Sequence, residues 1–155
     1  MKYYVIEPEV AGGWGDNIVV ADRSVHPPSI SRLHYEFHGW PSDVLLKGFG
    51  VYIVTREAMK KIQIINATGA SFDKVEVSTS ATFEAFQKLH TGSKLPEFVW
   101  LKVVGQAGYD DFGIIPYRNI NSISYPELRL VISERVLDVL RPMGLAYAVV
   151  NEYVK

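Results

Sequence analysis

Val51-Tyr52-Ile53-Val54-Thr55-Arg56-Glu57-Ala58-Met59 is the stretch on which the fold turns. Its first four residues form the β-branched and aromatic run of a buried strand. Thr55 is placed to accept from the first free N–H groups of a helix. Ala58, Met59, Ile62 and Ile65 then recur at helical spacing until Gly69 stops them. The pattern returns at Leu130-Val131-Ile132-Ser133-Glu134-Arg135-Val136-Leu137, where Pro142 and Gly144 end the helix and Leu145 to Val150 reads as a last strand. A duplicated strand-helix-strand unit would produce this echo. Any short strand, cap and helix junction produces it too, and the match uses only generic capping and patterning, so the generic reading is the one the sequence favours.

Working outward, Tyr3 to Ile6 reads as a short strand running into Pro8, and Phe98 to Val104 as a central strand. Leu33 to Phe37 alternates, with Leu33, Tyr35 and Phe37 on an inward face and His34, Glu36 and His38 on an outward one that is expected to be exposed. Phe72 to Val77 alternates again, and Ser80 is placed to cap a short helix carrying Phe83, Phe86 and Leu89. Periodicity does not decide whether Val44-Leu45-Leu46 is helix or strand. Residues 7–16 read as a glycine-rich loop, and 105–126 as a long polar loop with Ile114, Ile115 and Ile120 as its apolar anchors. The expectation is a single α+β domain over residues 1–155, mostly antiparallel, with two or three short helices packed on the sheet.

Composition narrows the function. Hydrophobic residues at 48% and charged residues at 21% place the chain with globular domains and away from disordered ones. A net charge of -1 offers no field for holding a polyanion, so no nucleic-acid partner is expected. The absence of cysteine excludes a disulfide framework, thiol catalysis and Cys-ligated zinc, and it suits a reducing compartment. Glu7 and Pro8 interrupt the N-terminus before an apolar run long enough for a signal peptide, and no stretch has the roughly 20 apolar residues of a membrane span. A cytoplasmic protein with no membrane association and no cofactor is expected.

Motifs that suggest chemistry lack their companions. Asp111-Phe112-Gly113 spells a kinase magnesium motif without the glycine loop, strand lysine or catalytic loop, and Gly12-Gly13-Trp14-Gly15 lacks the spacing of a phosphate cradle. His26 and His90 have no nucleophile partner in the sequence. His34, Glu36 and His38 could share a metal on one strand face, but a partner-facing surface accounts for them better. Trp14 and Trp40, in glycine-flanked loops, are the aromatic interface candidates, whereas Trp100 reads as core. Tyr109-Asp110-Asp111-Phe112 puts two carboxylates between aromatic residues, either as turn chemistry or as a contact patch for a basic partner.

These segments also carry a resemblance. Met-Lys-Tyr-Tyr at the N-terminus, Val25-His26-Pro27-Pro28, Leu33-His34-Tyr35-Glu36-Phe37 with Gly39-Trp40, Tyr52-Ile53-Val54-Thr55, Ser71-Phe72-Asp73-Lys74-Val75-Glu76-Val77-Ser78, Trp100-Leu101-Lys102-Val103-Val104-Gly105-Gln106-Ala107-Gly108 and Asp110-Asp111-Phe112 resemble, in order, the bacterial polymorphic-toxin immunity family numbered eleven. The resemblance implies a cytoplasmic antidote that binds and neutralises a cognate toxin protein, and it assigns no contact residues. The partner-binding candidates are therefore Trp14, His34, Glu36, His38, Trp40, Tyr109, Asp110 and Asp111. The alternative is a small hydrolytic or metal-dependent enzyme using the His34, Glu36 and His38 face with the Asp110-Asp111 loop.

Overall fold

The computed structural model describes residues 1–25, 28–89, 93–117 and 127–154; His26, His90 and Ile120 lie outside them. The described residues form an α+β domain of three helices and thirteen strands. In chain order these are β1 (Tyr3–Glu7), β2 (Gly12–Trp14), β3 (Val19–Asp22), β4 (Ser29–Arg32), β5 (His34–Phe37), β6 (Leu45–Gly48), β7 (Val51–Thr55), α1 (Arg56–Ile64), β8 (Ala70–Asp73), β9 (Glu76–Thr79), α2 (Ala81–Gln87), β10 (Phe98–Val103), β11 (Phe112–Tyr117), β12 (Glu127–Ser133), α3 (Glu134–Gly144) and β13 (Val149–Glu152). Two four-stranded sheets, in the orders β11-β12-β1-β13 and β6-β7-β10-β8, are antiparallel throughout. A smaller sheet, β2-β5-β9, contains one parallel pair, and β3 and β4 form a separate hairpin.

The hydroxyl caps form as the sequence predicts, with Thr55, Ser80 and Ser133 accepting from the N–H groups of Ala58, Phe83 and Val136. Leu45-Leu46 resolves into strand, opening β6 directly after Val44. Two loop expectations are corrected. Residues 12–14 pair with β5, and 112–117 pair with β12 along six residues, on a sheet edge where Pro116 forfeits no ladder bond that a central strand would need.

The generic reading of the sequence echo is corrected as well, because the two large sheets are built to one plan. In each, a hairpin strand (β6, β11) lies beside the strand that feeds a helix (β7, β12), then a central strand (β10, β1), then the strand that follows the helix (β8, β13). The registers coincide. Thr55 faces Phe98 as Ser133 faces Tyr3, Val54 faces Leu45 as Ile132 faces Phe112, and Leu101 faces Phe72 as Ile6 faces Val150. Junction bonds repeat too. The N–H of Thr55 donates to Val44 O and that of Ser133 to Asp111 O, while the N–H of Arg56 donates to Glu97 O and that of Glu134 to Lys2 O. Both helices end on a left-handed residue at the matching place, Asn66 at φ 52° and Gly144 at φ 128°, a conformation open to glycine and tolerated by asparagine.

The chain thus contains a repeated strand-strand-helix-strand unit, and the two halves exchange one strand: β1 of the first half completes the second sheet, and β10 of the second half completes the first. Buried aspartates reinforce the exchange reciprocally. Asp43, ahead of β6, accepts from the N–H groups of Ala146 and Tyr147 beyond α3 (2.9 and 2.8 Å), and Asp111, ahead of β11, accepts from the N–H of Thr68 beyond α1 (2.8 Å).

The sheet β6-β7-β10-β8 is the middle layer. Tyr52, Val54, Val99 and Leu101 face a first core shared with Ile6, Phe112, Leu130 and Ile132 of the other large sheet and with Ala58, Ile62, Val136, Leu137 and Leu140 of α1 and α3. On the opposite side, Val51, Ile53, Phe98 and Trp100 face a second core with Leu33, Tyr35, Phe37 and Phe83, as expected for Trp100. Burial on both sides explains why β7 reads as a continuous apolar run with no alternation.

Candidate functional site: an aromatic hairpin tip beside an apolar recess

Gly48 and Val51 pair across a two-residue turn made of Phe49 and Gly50, and the left-handed φ of 67° at Gly50 closes it. This turn leaves Phe49 at the tip, 58% exposed. Trp14, the last residue of β2, reaches the tip from the neighbouring sheet. Its ring meets that of Phe49 edge-on (centroids 5.2 Å, 71°), and its Nε1–H donates to Phe49 O at 2.9 Å. The indole therefore has its one donor satisfied while part of its ring remains at the surface. Beside the pair lies a recess of about 160 Å³ walled by Phe49, Tyr52, Ile114 and Leu128.

Charges rim this recess. Lys47 pairs with Glu127 (3.3 Å), and Arg129 pairs with Glu127 (3.3 Å) and Glu7 (2.9 Å). Burial pushes the Tyr52 phenol up to about 12, opposed by Arg129 and helped by Glu127, so it stays protonated at neutral pH. An exposed aromatic residue, an apolar hollow and a charged rim thus lie together at this hairpin tip.

The other sequence candidates do not gather around this tip. Trp14 sits opposite Tyr35 and so shares the core face of its sheet, while His34, Glu36 and His38 point to the other face. Trp40 stacks on Phe83 (5.8 Å, 18°), covering the second core. Tyr109 is 75% exposed, and its carbonyl accepts from the Tyr3 hydroxyl at 3.0 Å. Asp110 accepts from the Gln106 N–H at 2.7 Å, an ordinary turn.

Two candidates expected at the surface are buried. His34 is covered by the segment 15–17: its ring lies against Gly15, where any β-carbon would collide with it, and its Nδ1 accepts from the Asn17 N–H at 3.0 Å. With Nδ1 used as an acceptor, Nε2 carries the proton and donates to Ser78 Oγ at 2.7 Å. In this arrangement His34 has no lone pair directed at the serine and does not activate it as a nucleophile. Glu36 is half-buried, and only His38 of the three is well exposed, 3.8 Å from the Glu36 carboxylate. His34→Ala is accordingly expected to cost about 2 kcal/mol by stranding buried polar groups, and His38→Ala about 0.5 kcal/mol or less, as read by thermal unfolding.

Asp111 is the second buried candidate. It accepts from Arg135 Nε (2.8 Å) and Nη2 (2.6 Å), from the Ser133 hydroxyl (2.6 Å) and from Thr68. The Arg135 guanidinium holds its carboxyl well below the usual range against the opposing effect of burial, and the Ser133 and Thr68 bonds add to this. Asp111 is thus committed to the fold, and the expectation that it serves a turn or an outward contact patch is corrected.

Among the described residues, no group of three or more His, Asp or Glu side chains is placed to hold a metal ion, and no helix is long and apolar enough to cross a membrane. Sequence reading missed Phe49. The available signal was an aromatic residue between two glycines, Gly48-Phe49-Gly50, separating two strands.

No family model matches the chain. A curated protein, the O-methyltransferase ZRP4 of Zea mays, is 32% identical over 106 residues, which cover 65% of this chain and 29% of the maize protein. The chain therefore spans less than a third of the length of that relative.

Proposed function

We propose that this protein works by binding another protein and that its partner is a toxin it neutralises, the role implied by the immunity-family resemblance. The observation that carries the reading is the Trp14-Phe49 tip: an exposed aromatic residue, fixed by a hydrogen bond and a ring contact, beside an apolar recess with a charged rim. Rigid aromatic anchors of this kind supply most of the affinity in protein interfaces. The tautomer of His34 supports the same reading over a serine-histidine hydrolase. A methyl-transfer reading has only the partial match to the maize enzyme behind it, and here Gly12-Gly13-Trp14 forms a strand rather than opening a helix as a cofactor cradle does.

The test is co-expression with the product of the reading frame adjacent to the one that encodes this chain, together with a dissociation constant for the purified pair. Protection and a stoichiometric complex are expected. Phe49→Ala is expected to weaken the complex about 30-fold, equivalent to about 2 kcal/mol, with little change in melting temperature because the ring is mostly outside the core. Absence of both protection and a complex would overturn the proposal, and an unchanged affinity for Phe49→Ala would remove the tip from the interface.

A further inference from the structure

The duplication provides an internal template for reading a second site. In the second half, the Arg135 guanidinium fills the space between the start of its own helix and the carboxyl end of the other, binding Asp111 through Nε and Nη2 and donating to the carbonyls of Ile65 (2.7 Å) and Asn66 (3.2 Å) at the end of α1. By the shared register, the first-half counterparts are Glu57 for Arg135, Val44 for Asp111, and Met143 and Gly144 for Ile65 and Asn66. The first half thus carries a carboxylate where the second carries the cation.

The matching space is open. A cleft of about 700 Å³ lies between the start of α1 and the end of α3, its walls including Val44, Arg56, Glu57, Lys60, Glu97 and Met143. Glu97 is engaged by Arg56 at 3.0 Å, whereas Glu57 has no hydrogen-bonding or ion-pair partner among the described residues. Its carboxylate and the negative end of the α3 dipole share one cleft, and the guanidinium that does line it, that of Arg56, is held by Glu97 and makes no ion pair with Glu57 among the described residues. A planar guanidinium satisfies a carboxylate and helix-terminal carbonyls together, as Arg135 does in the other half.

We infer that this cleft takes a guanidinium group supplied from outside the chain, and that Glu57 is its principal ligand. The inference does not depend on the toxin reading. The guanidinium has two possible sources, a free arginine-like small molecule or an arginine side chain of a protein. Lys60 and Lys61 at the rim would also hold the carboxylate of a free amino acid, and this separates the two sources.

The experiment is an NMR titration of the isolated chain with L-arginine, with a blocked Gly-Arg-Gly peptide and with its Gly-Lys-Gly analogue. Saturable shifts confined to residues 55–61 and 142–144 are expected, with arginine probes preferred over the lysine peptide by about tenfold. L-arginine binding about tenfold tighter than the blocked arginine peptide assigns the site to a small molecule, and equal or weaker binding assigns it to a protein side chain. Glu57→Arg, which puts the chain's own guanidinium at the position of Arg135, is expected to abolish binding, and Glu57→Gln to weaken it several-fold. Equal responses to the arginine and lysine peptides, shifts elsewhere, or undiminished binding by Glu57→Arg would overturn the inference. The titration uses no toxin, so its failure is distinct from failure of the co-expression assay.

Discussion

Asp111→Ala is expected to lower the stability of this protein by about 3 kcal/mol or more, one of the two largest single-residue effects we expect. The carboxylate is almost fully buried and gathers bonds from three elements: the segment after α1 through Thr68, the end of β12 through Ser133, and the first turn of α3 through Arg135. Removing it strands the Thr68 N–H and the Ser133 hydroxyl and leaves Arg135 with only the carbonyls of Ile65 and Asn66. Because the Arg135 side chain is 41% exposed, water recovers part of its charge, so the loss is placed at the lower end of what breaking a buried pair costs. For a chain of this size the melting temperature should fall by about 6–12 °C. Asp110→Asn, which alters one exposed turn bond, should change it little.

The same residue fixes a pH dependence. Its carboxyl is held below its unfolded value, so the folded state binds fewer protons. The stabilisation is therefore fully present above about pH 4 and is lost as pH falls further toward the folded value. Thermal melts of the wild type and Asp111→Asn from pH 7 to pH 3 should show a stability gap that narrows below pH 4. A gap that is constant with pH, or a loss below 1 kcal/mol at neutral pH, would mean that this carboxylate does not tie the two halves together.

Phe37→Ala is the other large effect, expected at about 3–5 kcal/mol. Its ring is fully buried and meets Tyr35, Phe83 and Phe98 at centroid distances of 4.9, 6.3 and 5.3 Å, so it joins β5, α2 and the middle sheet at a single point. Truncation leaves a cavity in a close-packed core where three rings lose their contacts with it. Chemical denaturation measures the loss. A cost near that of His38→Ala would mean the inward face of β5 has been assigned wrongly.

The inward face of β5 was legible because alternation reports which side meets a core. It does not report whether the other side is also covered. His34 is buried by Gly15 and Asn17, residues far from it in the chain, and no periodicity within β5 carries that information. The junctions at Thr55 and Ser133 were legible because capping and helical spacing are local. β11 was not: it is an edge strand with Gly113 and Pro116, and its strand character comes from pairing with β12. The duplication was hidden because the halves conserve roles and not identities. A hydroxyl caps and a left-handed residue closes, but threonine stands for serine, asparagine for glycine, valine for aspartate, and glutamate for arginine. The candidate site was half legible. Trp14 was visible as an aromatic among glycines, while the contact that holds it requires Phe49 from another sheet.

The exchange of β1 and β10 also bears on synthesis. During translation Tyr3 to Glu7 is made well before the neighbours of that strand, β12 and β13. β1 therefore waits with both edges unpaired until β12 and β13 have been made. Such sequence-distant pairing slows folding and leaves an aggregation-prone edge exposed in the interval, so this protein should depend on chaperones during its own production more than its small size would suggest.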